Sequence, residues 1–340
     1  METLEVLGSI TRLSPIVVRV LGQNPGKFTL QGTNTYIVGR QRPYVLVDTG
    51  EGKEEYIPIL ESALKVPLSS EDSDIPDVSD IIISHWHGDH VGGLPSVLAL
   101  LRRLWDERKT GLPFTPPRLH KFPLPANKLP EQSNLPSIIN SLPSRLFTPA
   151  SNSVFYDLQD GQELTTSSTS LRVLHTPGHT RDSICLYIPE DRALYTADTV
   201  LGQGTAVFED LRLYISSLRK MLDYQKSHSY DVLYPGHGPV VKEGAKLIET
   251  YVQHRLEREA QILQVLQKAP PSPDVDESSG SAKWSTWTIV SKIYQGYPES
   301  LWTPASHSIN LHMKKLEADG IVKKLGGEGV NAKWALNSKL

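Results

Sequence analysis

The segment Ser84-His85-Trp86-His87-Gly88-Asp89-His90 follows directly on the apolar run Ile81-Ile82-Ile83, and no other feature limits the fold of this chain so tightly. A short apolar run that breaks into a polar, glycine-containing cluster reads as a buried strand ending at a rim. At a strand's end His85 and His87, two residues apart, point the same way. The turn at Gly88 can then swing Asp89 and His90 toward a neighbouring point. Three of the chain's 11 histidines and an aspartate fall within six positions. That density suits two ions about 3.5–4 Å apart better than one. The chain has a single cysteine, Cys185. An internal disulfide and thiolate-rich zinc sites are therefore excluded, and any metal must be held by His, Asp or Glu.

Three later positions repeat the pattern of a ligand at a strand end or turn: His179 in Thr176-Pro177-Gly178-His179-Thr180, Asp198 in Thr196-Ala197-Asp198, and His237 in Tyr234-Pro235-Gly236-His237-Gly238. A glycine beside each histidine lets the backbone come close to an ion. Each is weak alone, because an isolated histidine in a turn is usually surface decoration. Together with the first cluster they form a set. His175 ends a strand and reads as packed there. The hydroxyls and amides of Gly32-Thr33-Asn34-Thr35 read as satisfying their own turn. Cys185 reads as a small buried hydrophobe, and no Gly-x-Ser-x-Gly elbow is present.

Around these positions, residues 5–50 form a strand meander, and alternating strands and helices continue to about 268, the pattern of a layered α/β domain. Residues 111–149 carry nine of the 25 prolines and read as a long irregular insertion. The Pro/Ser/acidic stretch 269–283 has the composition of a linker. Beyond it, 284–340 reads as helices followed by a hairpin over Gly326-Gly327-Glu328-Gly329, the outline of a winged helix. Trp284, Trp287, Trp302 and Trp334 are expected to form the core of this small tail and its contact with the main domain. No apolar run is long enough to span a bilayer. Glu2 and Glu5 near the start, without a long apolar stretch, predict no export or transit signal. The expectation is an intracellular chain, in the cytoplasm or the mitochondrial matrix.

His85-Trp86-His87-Gly88-Asp89-His90 resembles the His-x-His-x-Asp-His signature of the metallo-β-lactamase superfamily. The resemblance implies a four-layer αββα sandwich, residues 1–268, followed by a winged-helix domain. It implies a first metal on His85, His87 and His179, a second on Asp89, His90 and His237, and Asp198 bridging both. Asp48, in Val47-Asp48-Thr49-Gly50, matches the carboxylate that orients a ligand histidine. Asn24-Pro25-Gly26, Leu30 through Tyr36, Gly204 through Leu211 and His254-Arg255 are similar to the β-lactamase-like protein 2 family. That family ends in a winged helix, includes single-strand endoribonucleases and is similar to acyl-carrier-protein thioesterases that release polyketides.

The expected activity is hydrolysis by a hydroxide bridging two zinc ions, or other divalent metals in their place, with Asp89 or a metal-bound water handling the proton, since binding to metal lowers the pKa of water from near 16 toward roughly 7. A net charge of -3 and a tail with only four surplus positive charges give little support for RNA. The stretches Asn24–Leu30 and Gly204–Leu211 resemble the thioesterase branch, so acyl-thioester hydrolysis, a step of secondary metabolite biosynthesis on a carrier-protein-bound substrate, ranks first. An endoribonuclease acting on single-stranded RNA is the alternative. A non-catalytic winged-helix binding protein ranks last, because the ligand set is intact.

Overall fold

The computed structural model describes residues 4–65, 74–109, 111–124, 129–270 and 283–337. It divides into two compact units, Met1–Phe208 with Ser217–Ile248, and Glu209–Ser216 with Glu249–Leu340. The first unit is built on two sheets. One runs in the order β1 (Ile10–Arg12), β2 (Val17–Leu21), β3 (Asn34–Val38), β4 (Tyr44–Val47), β5 (Val78–Ile83), β6 (Arg118–Lys121) and β7 (Tyr156–Asp157). Its strands are antiparallel up to β4 and parallel from β4 onward. The helices α1 (Tyr56–Lys65), α2 (Gly88–Val91), α3 (Leu94–Glu107) and α4 (Leu135–Ser141) fall between these strands. The second sheet holds β8 (Glu163–Thr165), β9 (Ser170–His175), β10 (Ile184–Ile188), β11 (Ala193–Ala197) and β12 (Val232–Pro235). Within it only β11 and β12 are parallel.

The period of two along each strand sorts the side chains into layers. Val45, Val47 and Ile82 face inward and pack with Val173, Ile184, Leu186 and Tyr195 of the second sheet. Leu46, Ile81 and Ile83 alternate to the opposite face, where they meet Leu60 and Leu64 of α1 and Leu94, Val97 and Leu101 of α3. The second sheet is backed by α5 (Leu211–His228), whose Ser217 hydroxyl donates to the Pro177 carbonyl at 2.7 Å and whose His228 carbonyl accepts from the Tyr187 hydroxyl at 2.6 Å. Helix, sheet, sheet and helix give the expected αββα sandwich.

The second unit contains most of α6 (Gly244–Leu266), then β13 (Trp284–Ser285), α7 (Thr286–Ile293), α8 (Trp302–Ala318) and the hairpin β14 (Val322–Gly326) and β15 (Lys333–Leu336). This is a winged helix: β13, β15 and β14 form one sheet, and Ile289, Val290, Ile309, Met313 and Trp334 pack with Ile262 of α6. Trp284 and Trp334 are core residues, as expected, but Trp287 is 38% exposed and its ring sits 5.7 Å from that of Trp302. Of the linker stretch 269–283, all but 269, 270 and 283 lie outside the described residues.

The proline-rich stretch differs from the irregular excursion the sequence suggested. It carries β6, α4 and a short 3₁₀ turn, Ser144–Leu146. The strand Arg118-Leu119-His120-Lys121 is disguised because three of its four residues are polar. Each of these is neutralised by a partner: Arg118 at 2.8 Å and His120 at 2.7 Å from Asp80 of β5, and Lys121 in a buried ion pair with Asp182.

Candidate metal centre

The four strand ends that matter reach one rim. His85 and His87 follow β5, His179 sits in the β9–β10 turn, Asp198 follows β11 and His237 follows β12. Asp89 and His90 lie in the single turn of α2, whose backbone closes on His87 through His90 N–H at 3.0 Å and Val91 N–H at 3.2 Å. Asp198 is aimed by a break in the β11–β12 register between Tyr195 and Ala197, with Ala197 at φ 45°. Gly236 is required by space: a Cβ there would lie 2.3 Å from an Asp198 carboxylate oxygen.

His85, His87, His179 and Asp198 bring one ligand atom each to a common point, and Asp89, His90 and His237 converge on another. His85 Nε2, His87 Nδ1 and His179 Nε2 stand 3.0–3.2 Å from one another. His90 Nε2 is 3.4 Å from Asp89 Oδ2 and 3.3 Å from Asp198 Oδ1. His237 Nε2 is 3.2 Å from both Asp89 Oδ2 and Asp198 Oδ2, and that second Asp198 oxygen is 3.6 Å from His179 Nε2. Asp198 thus reaches both groups.

The outer nitrogens have their own partners, and these fix which nitrogen faces inward. His90 Nδ1 donates to Asp48 Oδ2 at 2.6 Å. His179 Nδ1 donates to the Val207 carbonyl at 2.8 Å, and His237 Nδ1 to the Gly32 carbonyl at 3.4 Å. Ser84 Oγ donates to Asp48 Oδ2 at 2.8 Å and so accepts from His85 Nδ1 at 2.9 Å. Asp48, at φ 61°, also accepts from Ser84 N–H at 2.8 Å and from the Tyr195 hydroxyl. With the outer nitrogens donating, four of the inward-facing histidine nitrogens are left to coordinate a cation in the neutral form of their rings, the form that a bound cation selects. His90 Nε2 and Asp198 Oδ1 are both buried without a hydrogen-bond partner. Such a donor set fits divalent cations and little else.

The electrostatics divide the cluster. Burial, reinforced by the neighbouring imidazoles, holds His85 far below the ordinary histidine value and His87 down at about 3. Burial opposes charge on His90 and His237 as well, but the adjacent carboxylates win, raising His90 well above its ordinary value and His237 to about 9. Asp89 and Asp198 go the opposite way: burial favours their neutral forms, yet the flanking histidines hold both well below the carboxylate range.

All eight residues singled out from the sequence lie in this cluster. Ser84, Tyr195 and Thr33 were not singled out as part of it. Thr33 Oγ1 donates to Asp89 Oδ2 at 3.0 Å, and the Asn34 amide donates to the Pro235 and Gly238 carbonyls on either side of His237 at 3.0 and 2.9 Å. The Thr33-Asn34 turn thus serves the site rather than only its own backbone. His175 stays outside, its Nε2 on the Arg181 carbonyl at 2.9 Å and its ring stacked on Phe122.

Compared with known proteins, residues 28–237 match the metallo-beta-lactamase superfamily, and residues 285–334 match the beta-lactamase associated winged helix domain. The chain belongs to the metallo-beta-lactamase superfamily. This membership, with named ACP thioesterases among its relatives, makes it a hydrolase. It is 35% identical over 93% of its length to a beta-lactamase-like protein 2 homolog of Drosophila melanogaster, covering 92% of that protein. It is 32% identical over 94% of its length to an atrochrysone carboxyl ACP thioesterase of Aspergillus terreus, covering 85% of it. In fold it is similar to a beta-lactamase domain protein from Burkholderia ambifaria, with a TM-score of 0.68 and 17% identity, over 99% of this chain and 96% of that one. Among the described residues of this superfamily member, no helix is long and apolar enough to cross a membrane.

Proposed function

We propose that this protein is a two-zinc hydrolase that cleaves an acyl thioester carried on an acyl-carrier protein, releasing a polyketide acyl group as the free acid and the carrier's thiol. One observation carries the reading. A converging His/Asp set that fits divalent ions occurs in a chain that resembles named ACP thioesterases along most of its length.

In this reading His85, His87 and His179 would hold one ion and Asp89, His90 and His237 the other, with Asp198 within reach of both sets. Bound there, the ions supply a water of lowered pKa and an electrophilic contact for the thioester carbonyl. The chain's own residues do the rest. Asp48, with Ser84 and Tyr195, locks the tautomers of His85 and His90. The Val207 and Gly32 carbonyls do the same for His179 and His237. Thr33 donates to Oδ2 of Asp89, and in this reading Asp89 or a metal-bound water would handle the proton of the reaction. Residues 1–268 form the hydrolase domain and 284–340 the winged helix.

The tail's charge adds little to an RNA reading. Lys315 is bonded to Glu259 at 2.7 Å and Asp319 at 2.8 Å, and Lys324 to Glu328 at 2.7 Å. The decisive experiment incubates zinc-supplemented protein with an acyl-carrier-protein thioester and, in parallel, a single-stranded oligonucleotide. Elemental analysis accompanies both. The expected result is two ions per chain and thioester hydrolysis. Cleavage of the oligonucleotide alone, or fewer than one ion per chain with no activation by added metal, overturns the reading.

A further inference from the structure

A cavity of about 440 Å³ opens over the cluster, with His87, Asp89, His179, Asp198 and His237 among its lining residues. Its walls come from two segments, 27–30 and 201–207. Each wall presents a large apolar side chain to water: Phe28 is 70% exposed and Val207 58% exposed. Among the described residues of the first unit the exposed large apolar side chains are Leu4, Val6, Phe28, Leu112 and Val207, so two of the five face one cavity. Neither segment is loose. The 24–32 loop is tied by Gly26 N–H to the Leu30 carbonyl at 3.1 Å, Gly32 N–H to the Thr29 carbonyl at 2.8 Å, and the Thr29 hydroxyl to the Asn24 carbonyl at 2.6 Å. Val207 is held by its own carbonyl on His179, at a fixed distance from the cluster. Apolar groups fixed in water around a polar site gain stability only when something covers them.

We propose that Phe28 and Val207 are specificity-determining residues that clasp an extended apolar acyl chain, so that the preferred thioester carries a long acyl group rather than a short one. This rests on the thioesterase reading and deepens it. The opposite walls favour an aliphatic occupant over a nucleobase: Leu30 and Leu201 continue the apolar surface behind the two exposed side chains. Apart from the cluster, the one charged lining side chain is Lys27, whose Nζ lies 5.6 Å from the Phe28 ring. A nucleic-acid strand would require a cation for successive phosphates and a stacking face for successive bases.

The test is calorimetric binding of non-hydrolysable S-alkyl pantetheine thioethers to the zinc-loaded full-length protein, with metal content and turnover of the matching thioesters measured alongside. A wholly buried methylene adds about fourfold in affinity, and one half covered in an open mouth about twofold. The octyl thioether is therefore expected to bind roughly fiftyfold more tightly than the ethyl one. In the Phe28→Ser/Val207→Ser double variant that ratio should fall below about fivefold, while Leu112→Ser, an exposed apolar residue outside the cavity, keeps it. A flat ratio in the unaltered protein, a ratio that survives the double variant, or displacement of the octyl compound by an oligonucleotide whose own binding depends on Phe28 overturns the proposal. Thioester turnover with a flat ratio keeps the reaction and refutes the walls. A steep ratio without turnover of any thioester refutes the reaction and keeps the walls.

Discussion

Both units bury histidine completely, and the two burials mean different things. In the first unit His85 and His90 are fully enclosed, their outer nitrogens bonded to Ser84 and Asp48, their inner nitrogens converging with those of other ligands. In the second, His312 of α8 is just as enclosed, yet neither ring nitrogen has a hydrogen-bond partner. Burial, with the cationic Arg255, Arg258, Lys315 and the nearby His254, holds His312 neutral, down at about 3. A buried histidine is thus no evidence of a site. What marks one is several ligand atoms converging on the same place, four of the five histidines backed by a partner that fixes the tautomer.

The sharpest way to break this contrast is Asp198→Ala. Asp198 reaches both halves of the first cluster. Its loss is expected to lower hydrolysis by about 10³-fold or more, equivalent to some 4 kcal/mol of lost transition-state stabilisation. Because it sits at the rim, circular dichroism and the unfolding midpoint should change little. Activity within tenfold of the unaltered protein would remove Asp198 from the assignment. Next comes Asp48→Asn, which keeps the shape but turns one acceptor oxygen into a donor facing His90 Nδ1–H and the Ser84 and Tyr195 hydroxyls. Zinc affinity, measured by chelator competition, should drop by about 10- to 100-fold. An unchanged affinity would mean that the Asp48 network serves only the fold.

In the second unit, effects should appear in stability and spare turnover of small thioesters. Thr286→Val removes the acceptor of the buried Trp334 indole N–H at 3.0 Å and the donor to Asn310 at 2.6 Å. The expected cost is about 1–3 kcal/mol in urea unfolding. The smallest effect, visible only in acid, belongs to His312→Leu. With a folded value of about 3 against 6.5 for the free side chain, the unfolded chain takes up a proton that the folded one refuses. The neutral ring's contribution is therefore complete above about pH 6.5 and lost as pH falls from there toward 3. At pH 5 it amounts to about 2 kcal/mol relative to pH 7. The pH 7-to-5 loss of unfolding free energy should shrink by that amount in His312→Leu, and an equal loss in both proteins would place the titration elsewhere.

What could be read from the sequence was whatever lay close together along it. The cluster from His85 to His90 announced itself through density, His179 and His237 through their glycine-flanked turns, and Asp198 through its place at a strand end. Ser84, Thr33 and Tyr195 gave no such signal. A serine ending a strand, a threonine in a turn and a tyrosine within Ala193–Ala197 fit their local structure, and their role comes from contacts to Asp48 and Asp89 made between segments distant in sequence. β6 escaped notice for a related reason. Its polarity argues against a buried strand until Asp80 and Asp182, on neighbouring elements, are seen to neutralise it. Periodicity reports exposure well only where polar residues are unpaired.

The site gathers residues from the ends of both sheets, His85 and His87 after β5 and His179, Asp198 and His237 around β9 to β12. Ions held there, as proposed, would be cross-links. In a chain whose single cysteine is buried and free, coordinate bonds are the covalent-like ties available between the two halves of the sandwich. They would tie residue 85 to residue 237 in the folded state, reversibly and under the control of free zinc. Separating the sheets would then require releasing metal first. Both the unfolding rate and the equilibrium midpoint should therefore depend on the concentration of free zinc.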